Sequence, residues 1–171
     1  GSFLPLALVA VRSNLREHFE KHPVGWGSTY HAQPVALSAA YACLKFMLET
    51  GVIQRVREVV EPIMKRRADE IAAKYKSIGD VRVIGALACF DLVDPATGLP
   101  LQRLDGSKCT NTDALAVLRA AYREQGLFGF LRPPLFHSAP PLLITEEELE
   151  DGWDRVDRTL AQYDVSFCGS K

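Results

Sequence analysis

The chain has 171 residues, 47% of them apolar and 24% charged, with a formal net charge of -1. That length suffices for one good core, or for one domain with an appendage. A near-neutral balance gives no electrostatic basis for binding nucleic acid or an anionic membrane, and no apolar run is long enough to span a bilayer as a helix.

Phe3 to Val11 is nearly continuous apolar sequence without a basic leader. It reads as a strand covered on both faces rather than a signal segment, with Pro5 marking loop or sheet edge at its start. Ser13 or Asn14, with Glu17, offers an N-cap for a short helix reaching Phe19. Pro23, Gly25 and Gly27 make the next stretch a loop. Pro34 suits the first turn of a helix and Gly51 the position past its end. Between them Ala36, Ser38, Ala39, Ala40, Ala42 and Cys43 spread small residues around the circumference, which predicts a well-buried helix.

The following helix is amphipathic, with the stripe Val52, Val56, Val59, Ile63, Ala68, Ile71 and Tyr75. Pro62 inside it predicts a kink or break near Glu61. Val81 to Val93 reads as two short strands bent at Gly85, and Asp94 to Gly98 as a turn. A loop runs on to about Cys109. Thr110, Asn111 or Thr112 caps a helix with the stripe Leu115, Leu118 and Tyr122, closed by Gly126. Leu127 to Leu131 and Phe136 to Leu143 are the last strands. Thr145 to Glu148 is a capping box opening a final helix with Leu149, Trp153, Val156 and Leu160 on one face, frayed after Asp164. This order is α+β, with the front end belonging to a different sheet from the back end and the division near Gly51.

Cys43, Cys89, Cys109 and Cys168 show no C-x-x-C spacing. That argues against a zinc site or disulfide framework and for a reducing, cytoplasmic setting. His18, His22, His31 and His137 are scattered, and no nucleophile elbow, H-E-x-x-H or P-loop is present. Glu146 to Glu148 suit the dipole at a helix start. Two positions carry more chemistry. The Gly27-Ser28-Thr29 turn ahead of a helix presents amides and hydroxyls suited to a phosphate, although either hydroxyl equally serves to stabilise a turn. Arg132, at the end of an apolar strand before Pro133 and Pro134, has a fork suited to a carboxylate; an ordinary surface ion pair is the plain alternative.

Gly27 to Leu37, followed far downstream by Leu131-Arg132-Pro133-Pro134 and by Ala139-Pro140-Pro141-Leu142-Leu143-Ile144-Thr145-Glu146-Glu147-Glu148, resembles the C-terminal part of the class III (omega-type) aminotransferases. The resemblance implies the small domain of a fold-type-I transferase dependent on pyridoxal phosphate, preceded by a strand and helices from the end of the large α/β domain. Residues 1–50 then form the tail of the cofactor-binding domain and 51–171 the small domain. It implies that Ser28 and Thr29 bind cofactor, Thr29 touching the phosphate held by the neighbouring subunit of a homodimer, and that Arg132 binds substrate carboxylate. Arg82 and Gly85 match the family's Val-Arg-Gly-x-Gly run, with Val83 replacing its first glycine, and read as structural. Gln33 stands where the family usually has a histidine before Pro34.

The implied reaction moves an amino group from an omega-amino compound or amino acid to pyruvate or 2-oxoglutarate. None of Lys21, Lys45, Lys65, Lys74, Lys76, Lys108 and Lys171 lies in the family's strand-turn context for the Schiff-base lysine, which would precede residue 1. The chain alone is therefore expected to be inactive. A non-catalytic folding or dimerisation segment, or a parent acting as aminomutase or decarboxylase, is the alternative.

Overall fold

The computed structural model describes residues 3–95, 97–100, 112–132 and 134–168, without the side chains of 112–115, 132 and 165–168. The chain divides into two compact units, Gly1–Gly51 and Val52–Lys171.

The first unit holds two helices, α1 (Ser13–Lys21) and α2 (Pro34–Glu49). No strand forms over Phe3 to Val11; Pro5 to Arg12 has no regular structure and is almost entirely exposed. A strand needs a ladder partner for its N–H and C=O groups, and every strand among the described residues lies in the second unit. Helix α1 starts at Ser13 itself, and its N-cap, Arg12, makes no side-chain bond, so the expected capping box is not used. Pro34 does open α2, and Gly51 follows its end. The burial expected of α2 is not met within this chain: only Ala36 is buried, while Tyr41, Leu44, Phe46 and Leu48 are exposed. No single helix among the described residues is long and apolar enough to cross a membrane.

The described residues of the second unit form a four-stranded antiparallel sheet with helices on one face. Helix α3 (Val52–Arg55) runs through a π-helical segment, Val56–Val60, into α4 (Glu61–Lys74). Pro62 explains the π segment. Its ring crowds the preceding turn and it has no N–H to give, and widening that turn accommodates it without a break. The Glu61 N–H bonds to the Val56 carbonyl, five residues back. The wide turn also moves the buried stripe. Val60 and Met64 are buried instead of the expected Val59 and Ile63, alongside Val52, Val56, Ala68, Ile71 and Tyr75. Steps of four drift about 40° each in a regular α-helix, so such a stripe stays on one face only where a wider turn takes up the drift.

Strands β1 (Ile78–Ile84) and β2 (Leu87–Leu92) form a hairpin. Gly85 takes φ +55 at the first loop position, where a two-residue type II′ connection requires a positive angle. Helix α5 (Thr112–Glu124) buries Leu118, Ala121 and Tyr122. Its expected caps Thr110 and Asn111 lie outside the described residues, as does the side chain of Leu115. The last strands are shorter than their apolar runs: β3 (Phe130–Arg132) and β4 (Leu135–Ser138), giving the order β1-β2-β4-β3. Gly129, just before β3, passes so close to Tyr122 that a Cβ there would lie 2.6 Å from Cε1. Helix α6 (Glu146–Cys168) opens on the expected capping box and runs on past Asp164, where fraying was expected.

Strand alternation sorts the sheet residues. Ala88, Phe90, Leu92 and Phe136 face the helices, where the Phe90 and Phe136 rings stack at 4.4 Å and Trp153 of α6 lies 5.9 Å from Phe90. The core continues through Met64, Leu118, Leu149, Val156, Leu160 and Tyr163. Arg82, Cys89, Asp91 and His137 occupy the opposite, outer face.

Candidate functional site

The two sequence-derived sites fall in different units. Ser28 and Thr29 lie in the first, in a tight turn closed by the His31 N–H on the Ser28 carbonyl at 3.1 Å. The His31 Nδ1 folds back to the same oxygen. Ser28 and Thr29 are exposed, and neither hydroxyl has a hydrogen-bond partner among the described residues. The turn leads through Ala32, whose φ of +53 is uncommon for a side chain with a Cβ, into α2. The N-cap Gln33 contributes no side-chain bond, so the positive end of α2 is left open. A turn stabilised by its own backbone, with free hydroxyls and an open helix start a few residues on, has the chemistry of an anion site.

Arg132 is the last residue of β3, paired with Leu135 of β4. Its side chain lies outside the described residues. The structure therefore fixes its place in the sheet, at one edge.

The rest of the outer face is better defined. Register aligns Arg82, Cys89, His137 and Phe130 in one row across β1, β2, β4 and β3. Arg82 takes the structural role read for it, as an ion pair on this face: its guanidinium reaches Asp91 Oδ1 at 2.5 Å, bonds Asp80, and lies 3.8 Å from the Cys89 sulfur. The hydrogen bonds it donates to Asp91 and then Asp80 raise its already high pKa further. That charge is occupied within the sheet. His137 packs its ring 5.7 Å from Phe130, and its Nδ1 is buried without a hydrogen-bond partner among the described residues. On the other, helix-facing side, past the Phe130–His137 end of the β3–β4 pair, lies a cleft of about 280 Å³ walled by Tyr122, Leu149, Trp153, Val156, Phe128 and Gly129, among others.

Sequence reasoning set His137 aside as one scattered histidine. The available signal was its position next to Phe136: in a short strand with a buried phenylalanine, the neighbour must face the other way. The described lysines Lys21, Lys45, Lys65, Lys74 and Lys76 are all exposed, and Lys45, Lys65 and Lys74 are paired with Glu49, Glu61 and Asp157. None stands in a cavity.

Comparison with known proteins defines the class. The "Aminotransferase class-III" family matches residues 1–160. A 4-aminobutyrate aminotransferase of Mycobacterium leprae is 31% identical over 160 residues, covering 94% of this chain and 34% of that protein. A leucine/methionine racemase of Thermococcus litoralis is 27% identical over 171 residues, covering 100% of this chain and 36% of that protein. Among solved structures, the taurine:2-oxoglutarate aminotransferase of Bifidobacterium kashiwanohense, in complex with PLP and glutamate, superposes with a TM-score of 0.78 at 26% identity, covering 91% of this chain and 34% of that one. The fold is thus that of a piece of a fold-type-I transferase. The chain belongs to the class III aminotransferase family, and it spans about a third of the length of the relatives it matches.

Proposed function

We propose that this chain is the C-terminal part of a pyridoxal-phosphate-dependent transaminase. In this reading the whole enzyme passes an amino group from an omega-amino acid to a keto acid such as pyruvate or 2-oxoglutarate, as a homodimer. The observation that carries it is the Ser28–Thr29 turn: exposed, closed by its own backbone, with hydroxyls unclaimed and a left-handed Ala32 behind it. Backbone held in a sparsely populated region persists where the surroundings over-determine it, and such residues cluster at ligand clamps.

The residues present fit the phosphate end of the cofactor. Ser28 and Thr29 offer hydroxyl and amide donors to an anion, and the open start of α2 adds its dipole. In the dimer these donors serve the cofactor held by the neighbouring subunit. Bound cofactor supplies the electron sink for the bonds broken at the amino-bearing carbon. This chain contributes the phosphate donors and, through Arg132, a grip on the substrate carboxylate that orients its amino end. None of the described lysines stands in a cavity, and this reading assigns the covalent tether to the rest of the subunit and expects the chain alone to be inactive.

The similarity to a 4-aminobutyrate aminotransferase, and to a 5-aminovalerate aminotransferase of Pseudomonas aeruginosa that is 35% identical over 94 residues, favours an amino acid whose amine is remote from its carboxylate. The racemase relative shows that a similar sequence also serves a reaction without a keto-acid partner. The test is transamination of 4-aminobutyrate by the full-length enzyme, followed as consumption of 2-oxoglutarate; activity only in racemising an amino acid would overturn the proposal. Arg132→Ala should lower kcat/KM on carboxylate-bearing substrates by about 10- to 150-fold, the worth of a charged hydrogen bond. Thr29→Ala should weaken retention of the cofactor on dialysis. Unchanged kinetics and retention would remove both residues from the site.

A further inference from the structure

We propose that the cleft on the helix side of the second unit binds a small neutral molecule, built on a ring and carrying a carbonyl oxygen. Its occupancy does not require that the whole enzyme be a transaminase. The cleft holds about 280 Å³ and lies where the turn after α5, the start of β3 and the loop from β4 to α6 come together over α6. An apolar cavity of about 150 Å³ is enough to take up benzene, so this volume suits a substituted ring or two fused rings. Leu127, Phe128, Ile144, Leu149 and Val156 give it apolar walls. No Asp, Glu, Lys or Arg is among its described lining residues, and the His137 ring lies on the opposite face of the sheet. A charged ligand would therefore lose its hydration there without compensation.

Two further wall residues are donors that lack acceptors. Trp153 and Tyr122 are 2% and 5% exposed. Trp153 Nε1 is buried without a hydrogen-bond partner among the described residues. The Tyr122 hydroxyl has none among them either, and burial alone pushes its pKa up. Buried polar groups are nearly always bonded. An indole N–H can only donate and a phenol donates readily, so what both lack is an acceptor oxygen.

The cleft is also kept open. Gly152 sits inside α6, where glycine is unfavourable relative to alanine. A Cβ built on it would meet nothing within 4 Å, so packing among the described residues does not call for glycine. Gly152 walls the cleft, and the side chain it lacks leaves that space free. Both rims are fixed from outside. Arg155 Nη1 donates to the Gln125 carbonyl at 3.0 Å and holds the turn after α5. Arg55 donates to the Leu142 and Ile144 carbonyls at 3.1 and 2.5 Å and holds the loop before α6. A cleft shaped before its ligand arrives loses less on binding.

The experiment follows the indole N–H signals of Trp153 and Trp26 by NMR in the 171-residue chain, during titration with benzamide, toluene or benzoate. Trp26 is 80% exposed in the first unit and serves as the internal control. Benzamide should shift Trp153 saturably and leave Trp26 in place. Toluene, without the oxygen, should bind more weakly, and charged benzoate should not bind. Tyr122→Phe keeps the ring, and should weaken benzamide about 2- to 10-fold while toluene is unchanged. Gly152→Leu fills the cleft with a better helix former, and should abolish binding of both without lowering the melting temperature. In the full-length enzyme Trp153 should respond to benzamide as it does in the chain; no response there shows that the rest of the subunit covers the cleft and overturns the proposal. Parallel, unsaturable shifts of both tryptophans overturn it too, as does binding that survives Gly152→Leu. So does a Tyr122→Phe variant in which benzamide is unaffected, or in which benzamide and toluene weaken equally.

Discussion

Helices α2 and α4 lie in adjoining stretches of one chain and behave oppositely. Helix α2 carries small and apolar residues on most sides and buries Ala36 alone. Helix α4 carries lysine, arginine and glutamate on one side and buries Met64, Ala68 and Ile71 on the other. The more apolar helix is the less buried. Apolar character makes burial favourable, but a partner surface must be there to receive it. In the second unit each stripe meets another: α4 and α6 meet the sheet, and Tyr122 of α5 meets Phe136 edge-on at 6.2 Å. That unit specifies its own core. The first unit does not.

The sharpest way to break this contrast is one deletion in each unit, compared by urea unfolding of the 171-residue chain. Trp153 is 2% exposed at the centre of the second unit, and Trp153→Ala should cost about 3–5 kcal/mol. Leu48 on α2 is 82% exposed, and Leu48→Ala should change stability by no more than about 0.5 kcal/mol. Similar losses would show that the first unit has a core of its own.

A smaller effect tests how α4 is tied to α6. Lys74 Nζ lies 2.8 and 2.6 Å from the two oxygens of Asp157, and the Tyr75 hydroxyl donates to Asp157 Oδ1 at 2.8 Å. Burial pushes the Asp157 carboxyl up, but the bonds from Lys74 and Tyr75 outweigh it and hold the group below the usual carboxylate range. The folded state therefore favours the ionised form. Its contribution is complete above the unfolded value, about 3.9, and is lost as pH falls through the lower folded value. Asp157→Asn should cost about 1–2 kcal/mol at pH 7, discounted for the exposure of Lys74, with the difference from wild type closing below about pH 4. A gap that stays constant into acid would mean that packing, not charge, joins these helices.

The same contrast explains what could be read from the residues alone. The second unit's hairpin at Gly85, its capping box and the face Leu149, Trp153, Val156 and Leu160 were legible because each is decided within a few residues. The shift from Val59 and Ile63 to Val60 and Met64 was not, since it needs the width of the turn before Pro62. Phe3 to Val11 misled for the opposite reason: its composition suits a buried strand, and pairing is a property of a neighbour. At the candidate site, Ser28 and Thr29 were visible from turn chemistry beside a helix. His137 was hidden because its environment is assembled by pairing of Phe130 in β3 with His137 in β4, with six residues between them in the chain, and by β2 pairing across the sheet.

The smallest expected effect asks whether the second unit's self-sufficiency extends to its helix ends. The Thr145 hydroxyl accepts the Glu148 N–H at 3.2 Å, and the Thr145 N–H donates to Glu148 Oε2 at 3.0 Å. Hydrogen bonds from the Thr145 backbone and then its hydroxyl hold the Glu148 carboxyl below its ordinary value. By the same sign as for Asp157, that bond supports the fold above the ordinary glutamate range and weakens as pH falls through the lowered value. Thr145→Ala removes the hydroxyl and keeps the backbone donor, so the helix start should lose about 0.5–1 kcal/mol. In an NMR titration the Glu148 carboxyl should move part of the way back toward its ordinary value. A full return would show that the hydroxyl alone organises the cap, because the backbone donor would then have swung away with it. No movement and no loss of stability would mean that α6 is held at its start by Leu149 and Ile144 packing on the core, and that the cap follows from the fold without contributing to it.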